Sequence, residues 1–174
     1  MKNIVLLGMP AVGKSTVGVV VAKRLGYEFI DTDLLIQKQE KRLLKEIIEE
    51  EGIEGFLKIE NQVNQGVDAE RSVISPGGSV VYCKEAMEHY KKIGTIVYLR
   101  ASFETIAGRI QNAKNRGVVL KEGQTLEMLY AERVELFEKY ADITVDEEGK
   151  DLGETIESVL DILENISESI EKVK

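Results

Sequence analysis

Short apolar runs alternate with longer stretches of helical spacing along the whole chain. Residues 3–8 (NIVLLG) are apolar and closed by glycine, which predicts a buried strand. Residues 14–26 have helical length and end at Gly26, a residue suited to a C-cap. Residues 27–33 (YEFIDTD) predict a second strand ending in acids. Over 34–52 the apolar residues at 36, 43, 44, 47 and 48 recur at helical spacing and predict one helix, with another over about 54–68. Residues 72–75 (SVIS) predict a third strand running into PGGS. A helix over 84–94, a fourth strand over 95–101 and a helix over 102–112 follow. Residues 113–122 show neither period and read as a mobile loop. A helix over 125–141, a fifth strand over 142–146 and a helix over 152–172 complete the chain. The last repeats Ile156, Val159, Leu160, Leu163, Ile166 and Ile170 on one face. Strand alternates with helix throughout, so the pattern predicts a parallel α/β sheet. No repeat, low-complexity tract or linker interrupts the 174 residues, which read as one domain, 1–174.

Charge and composition narrow the partners. A net charge of -8 argues against a general nucleic-acid surface, because phosphate backbones need stripes of Lys and Arg. The single cysteine, Cys83, allows no internal disulfide and suits a reducing compartment; it reads as a core or near-surface thiol. No apolar run approaches the length of a membrane span, so a cytoplasmic chain without a membrane partner is expected. His89, the only histidine, lies in no metal-ligand cluster and reads as a surface helix residue.

One stretch carries chemistry at once. Residues 8–16, GMPAVGKST, fit Gly-x4-Gly-Lys-[Ser/Thr] between a predicted strand and a predicted helix. Glycines let the backbone approach phosphates, and the helix N-terminus adds free N–H groups and its dipole. Gly8, Ala11, Val12, Gly13, Lys14, Ser15 and Thr16 are therefore candidate nucleotide-binding residues. Lys14 would meet the β/γ-phosphates, and the Ser15 hydroxyl is a hard oxygen suited to Mg²⁺.

The loop alone does not say which reaction follows. The Asn-Lys-x-Asp tetrad that reads guanine is absent, and neither SVIS nor TIVYLR ends in a Walker-B acid. The acids close the second strand instead. Asp31 and Asp33 lie two apart and would project to the same side of an extended chain. Such a pair can divide its work, one acid holding Mg²⁺ through water and the other accepting a proton from an attacking hydroxyl.

Taken together, GMPAVGKSTVG, AKRLGYEFIDTD, GIEGFLKIE (52–60), VISPGGSVV (73–81), AGRIQNAKNRGVV (107–119) and AERVELFEKYADITV (131–145) resemble the shikimate kinase family in order and spacing. The resemblance covers almost the whole chain. It implies a three-layer P-loop kinase fold of the nucleoside-monophosphate-kinase type, with a five-stranded parallel sheet. It also implies transfer of the γ-phosphate of ATP, with Mg²⁺, to a hydroxyl of shikimate beneath a closing lid. By that resemblance, Asp31 and Ser15 are the metal positions, and Asp33 holds the acceptor hydroxyls and can act as base. Gly77 and Gly78 approach the acceptor, Arg133 binds its carboxylate, and Arg109 stacks on adenine. Arg116 is the lid arginine that reaches the transferring phosphate. The acceptor segment would be about 33–62 and the lid about 112–123. A monomer acting on a small hydroxylated molecule is implied.

Four departures stand out, two of them on the acceptor side. Leu57 stands where the family has a carboxylate-gripping arginine, leaving Lys58, one position along, as the candidate replacement. Losing that charge-assisted pair predicts a loss of about 1.5–3 kcal/mol, or roughly ten- to a hundredfold in acceptor affinity. Ser79, after Pro76, replaces the third glycine and would add bulk where the acceptor packs. Gly117 and Val118 replace Pro-Leu in the lid, and the proline that packs on adenine is missing. Three readings follow: a shikimate kinase with a rebuilt clamp, a kinase for another polyol or hydroxy acid, and a non-catalytic nucleotide-binding protein. Retention of Lys14, Ser15, Asp31 and Asp33 counts against the last.

Overall fold

The computed structural model describes residues 2–112 and 120–171. The elements run β1 (Asn3–Leu7), α1 (Lys14–Leu25), β2 (Glu28–Asp31), α2 (Thr32–Glu40), α3 (Leu44–Gln65), β3 (Ser72–Ser75), α4 (Lys84–Ile93), β4 (Gly94–Arg100), α5 (Phe103–Asn112), α6 (Leu126–Tyr140), β5 (Ile143–Asp146) and α7 (Leu152–Glu171). A 3₁₀ turn at Val80–Tyr82, unforeseen from the pattern, precedes α4.

The strands form one five-stranded parallel sheet in the order β2-β3-β1-β4-β5. Val5 pairs with Ile74 on one side and Ile96 on the other, which makes β1 the central strand. All five residues of β1 are buried, as a parallel sheet covered by helices requires. Val17, Val21 and Ala22 of α1 join Ile156, Val159, Leu160 and Leu163 of α7 in the main core. The side chains of Ile166 and Ile170 lie outside the described residues. Gly26 caps α1 at φ 66°, where its N–H bonds Lys23 O, the left-handed cap expected of a glycine there.

Two boundaries differ from the pattern. The second strand stops at Asp31, and Thr32 already begins α2, so Asp33 is helical rather than extended. The helix expected over 34–52 is two helices. Lys41 takes a left-handed conformation (φ 55°) that ends α2, and the Leu43 N–H donates to Glu46 Oε2 at 2.7 Å as α3 starts. The apolar period runs straight through this turn because both helices bury the same face. Ile36 of α2 packs with Ile47, Phe56 and Val63 of α3 in a second, smaller core. Between the two expected helices, Gly52 (φ 70°, ψ 179°) is non-helical, so α3 is two helical segments joined at a kink, where the pattern separates them.

Parallel strands place all their carboxyl ends on one edge. The chain leaves β1 toward β3 and β2 on one side and β4 and β5 on the other. The crevice at that reversal is where open α/β sheets bind ligands. Residues 8–13, Asp31 to Asp33 and Pro76 to Gly78 all leave strands at that edge. Among the described residues, no helix is long and apolar enough to cross a membrane.

Candidate functional site

The loop after β1 turns on residues with unusual backbones. Gly8 (φ 152°) lies so close to β4 that a Cβ there would sit 2.8 Å from Leu99 O, and Gly13 (φ 106°) caps α1. Lys14 folds over the loop and donates to Gly8 O at 2.9 Å and Met9 O at 3.1 Å. Its ammonium is thus held at the α1 N-terminus, where a phosphate would also be drawn.

Ser15 and Asp31 meet across the first two βα turns. Ser15 Oγ donates to Asp31 Oδ2 at 3.3 Å, while Asp31 Oδ1 accepts from the N–H groups of Asp33 (3.0 Å) and Leu34 (3.3 Å). Asp31 is thus the N-cap of α2, and Asp33 sits in its first turn. The two acids do converge, but through a helix cap, not through the extended alternation expected of them. Burial and the nearby Asp31 charge push the Asp33 carboxyl up to about 6, against the opposing pull of Lys14.

One cavity of about 780 Å³ joins these groups to the acceptor-side candidates. Gly13, Lys14, Ser15, Asp31, Asp33, Gly77, Gly78 and Arg133 all line it. Gly77 and Gly78 form a ledge with opposite charges at its edges. A Cβ on Gly77 would meet Glu60 Oε1 at 2.8 Å and Asp33 Oδ1 at 2.9 Å. On Gly78 it would meet Arg133 Nη1 at 3.1 Å. Arg133 is only 6% exposed, stacks its guanidinium 5.5 Å from the Tyr82 ring centre, and leaves Nε without a partner.

Several residues enter that the motifs did not single out. Glu60 is fully buried, with Oε1 unpartnered and Oε2 accepting from Ser79 Oγ at 2.7 Å. Burial pushes its carboxyl up to about 7, although Ser79 and Arg133 pull it down. The Ser79 hydroxyl is therefore engaged with Glu60, although Ser79 still lines the cavity as expected. Tyr82 supports Arg133 and donates its hydroxyl to Glu132, and Lys121 Nζ lies 5.8 Å from its ring centre. Glu147, 5% exposed, accepts from Arg109 Nη1 at 3.1 Å. No sequence signal marked Tyr82 or Glu147, because their partners lie 51 and 38 residues away.

Other expectations fare unevenly. Arg109 does stand against the phosphate loop, where Nη1 also donates to Val12 O at 3.1 Å. Lys58 is exposed and does not line the cavity, so it does not replace the missing arginine. A step of one residue turns a helical side chain about 100°, which carries Lys58 away from the face that Leu57 shares. Lys45 and Lys121 reach the lining instead. Arg116, with most of the expected lid, lies outside the described residues. His89 is half-buried rather than a simple surface residue, with Nε2 2.7 Å from Val67 O. Cys83 is buried beneath α3, donating weakly to Leu57 O at 3.5 Å, and burial pushes its thiol up.

The shikimate kinase family model matches residues 10–164. The chain belongs to the shikimate kinase family. A shikimate kinase of Thermodesulfovibrio yellowstonii is 37% identical over 170 residues, spanning 96% of this chain and 98% of that one. One from Clostridium botulinum is 38% identical over 143 residues, spanning 80% and 84%. Among solved structures, shikimate kinase from Acinetobacter baumannii in complex with shikimate superposes with a TM-score of 0.86 at 28% identity, covering 95% and 94%. The five-stranded P-loop kinase fold expected of the family is the fold observed. Family membership makes this chain a phosphotransferase with an alcohol acceptor.

Proposed function

We propose that this protein transfers the γ-phosphate of ATP to a hydroxyl of shikimate, giving shikimate 3-phosphate. One observation carries the reading: Lys14, Asp33 and Arg133 line a single cavity. A phosphate-facing cation, a carboxylate base and a carboxylate-binding guanidinium are then within one small molecule's reach. Gly8 and residues 11–16, with Arg109, bind the nucleotide. Asp33 takes the proton of the attacking hydroxyl, and Gly77, Gly78 and Arg133 hold the acceptor.

The donor set fits Mg²⁺. Ser15 Oγ and Asp31 Oδ2 are hard oxygens already 3.3 Å apart beside the phosphate loop. Bound there with ATP, the ion would neutralise charge on the phosphate oxygens. Lys14 orients the phosphates, and Asp33, desolvated and set against Gly77, stays poised to accept a proton near neutral pH. Arg116 is assigned to the transferring phosphate by family resemblance, acting from a lid of about 112–123.

A second reading, a different hydroxy acid or polyol as acceptor, is favoured by Leu57. That residue puts an apolar side chain where an arginine would grip a carboxylate. Release of ADP on adding shikimate, followed in a coupled assay, tests both. Shikimate-dependent turnover is expected; its absence at millimolar shikimate, with turnover on another hydroxylated metabolite, would transfer the assignment.

A further inference from the structure

One wall of the cavity is a short piece of chain. Residues 43–51 supply Leu43, Leu44, Lys45, Ile48 and Glu49 to the lining. Left-handed backbone stands on either side of it, at Lys41 (φ 55°) and at Gly52 (φ 70°). Gly55 makes room for the second break, because a Cβ there would lie 2.7 Å from Glu51 Cβ. Packing anchors the piece on one side. Ile47 is its buried side chain, set in the second core with Ile36. The side turned to the cavity has to stay open for an acceptor, so packing cannot hold it there.

Arg42 ties the piece together end to end. Nη1 donates to Glu50 Oε2 at 2.6 Å, and Nη2 donates to Glu51 Oε1 at 2.8 Å and Glu40 Oε2 at 3.0 Å. One guanidinium thus joins the end of α2 and the start of the piece to its far end. The acids are poorly placed without it. Glu50 and Glu51 sit at the carbonyl end of a helical segment, where the dipole disfavours negative charge. Glu40 and Glu51 share a single nitrogen, and among the described residues no other Lys or Arg pairs with any of the three. An isolated exposed pair fixes little, but three carboxylates on one rigid planar fork fix a geometry. Arg42 itself does not line the cavity.

We infer that Arg42 is a positioning residue for the acceptor: its clamp on Glu40, Glu50 and Glu51 holds residues 43–51 as the wall against which the acceptor packs. Without the guanidinium the three acids repel, and the wall loses its place. Nucleotide binding is spared, because the phosphate loop and Arg109 take no support from this piece. The inference rests on the phosphotransfer reading above, with shikimate as acceptor.

The test measures kcat and the KM values for shikimate and ATP by ADP release, using the full chain. Wild type is compared with Arg42→Gln, Arg42→Lys, the double variant Glu50→Gln/Glu51→Gln and the triple variant that adds Arg42→Gln to it. At about 0.1 M ionic strength Arg42→Gln should raise the shikimate KM about three- to tenfold, the reach of a small network of exposed pairs. Its kcat and its KM for ATP should stay within about twofold, the pattern of lost uniform binding to one substrate. The ratio of variant to wild-type KM should shrink at about 1 M salt, where charges are screened beyond about 3 Å. The triple variant should bind shikimate better than Arg42→Gln, because its acids no longer repel, and Arg42→Lys should fall between Arg42→Gln and wild type. An unchanged shikimate KM in a folded Arg42→Gln overturns the inference and leaves phosphotransfer standing. So does an equal rise in both KM values, or a triple variant no better than Arg42→Gln. Should Arg42→Gln fail to fold, Arg42→Lys and the double variant carry the same comparison of KM values. Absence of shikimate-dependent ADP release in wild type overturns the acceptor reading, and this inference with it.

Discussion

Ser79 Oγ donates a 2.7 Å hydrogen bond to Oε2 of Glu60, a carboxyl with no exposed surface whose other oxygen has no partner. The serine that departs from the family's glycine run thereby steadies a buried acid behind the ledge. A buried carboxyl of this kind ties stability to pH.

Both Glu60, raised to about 7, and Asp33, raised to about 6, bind protons more tightly in the folded chain than when exposed. Between their ordinary values and these, the native state holds more protons than the unfolded state. Their contribution to stability is therefore full below about pH 4 and is lost as pH rises through 6 to 7. Glu60→Gln removes part of this dependence. The fall in Tm between pH 5 and pH 8 should be smaller in Glu60→Gln than in wild type. An equal fall in both would contradict the burial argument.

Lys14 is fixed by two loop carbonyls before any nucleotide arrives. Lys14→Ala should lower kcat by about a hundredfold or more, the scale of losing a preorganised charge at the phosphates. Tm should hardly change, because the side chain is not part of the core. Single-turnover kinetics and a thermal melt together separate these effects.

Asp33 must be ionised to accept a proton. As pH falls below about 6, kcat/KM for the acceptor should drop tenfold per unit. Asp33→Asn should lower kcat about 10²–10⁴-fold and abolish that limb of the profile, while ATP affinity survives. A profile whose acid limb persists in the variant would assign the base elsewhere.

Arg133 is desolvated and braced by Tyr82. Arg133→Met keeps volume and removes the charge. The acceptor KM should rise about ten- to a hundredfold, corresponding to roughly 1.5–3 kcal/mol for a charge-assisted hydrogen bond. The KM for ATP should stay within twofold (roughly), the scatter expected of a residue that does not touch nucleotide. Isothermal titration with each ligand separately checks the division.

The sequence by itself determined the order of strands and helices, the phosphate loop and the identity of most charged groups at the site. Those features are local: a loop of set spacing, a period of two or 3.6, a glycine where φ is positive. It also carried the family, because motifs such as GMPAVGKST and AERVELFEKYADITV keep their residues and spacing. Tertiary structure decided what lies far apart in the chain. The turn at 41–43 was invisible because the apolar period continues across it into the small core of Ile36 and Ile47. The convergence of Asp31 and Asp33 came from a helix cap, whose hydrogen bonds depend on where β2 ends. Glu60 became a buried acid only when β3 brought Ser79 beside it across 19 residues. Whether Leu57 or Lys58 faces the acceptor depended on the rotation of α3 about its axis. That rotation is fixed by which of its residues pack into the second core, and Phe56 and Val63 turn Leu57 inward and Lys58 toward solvent.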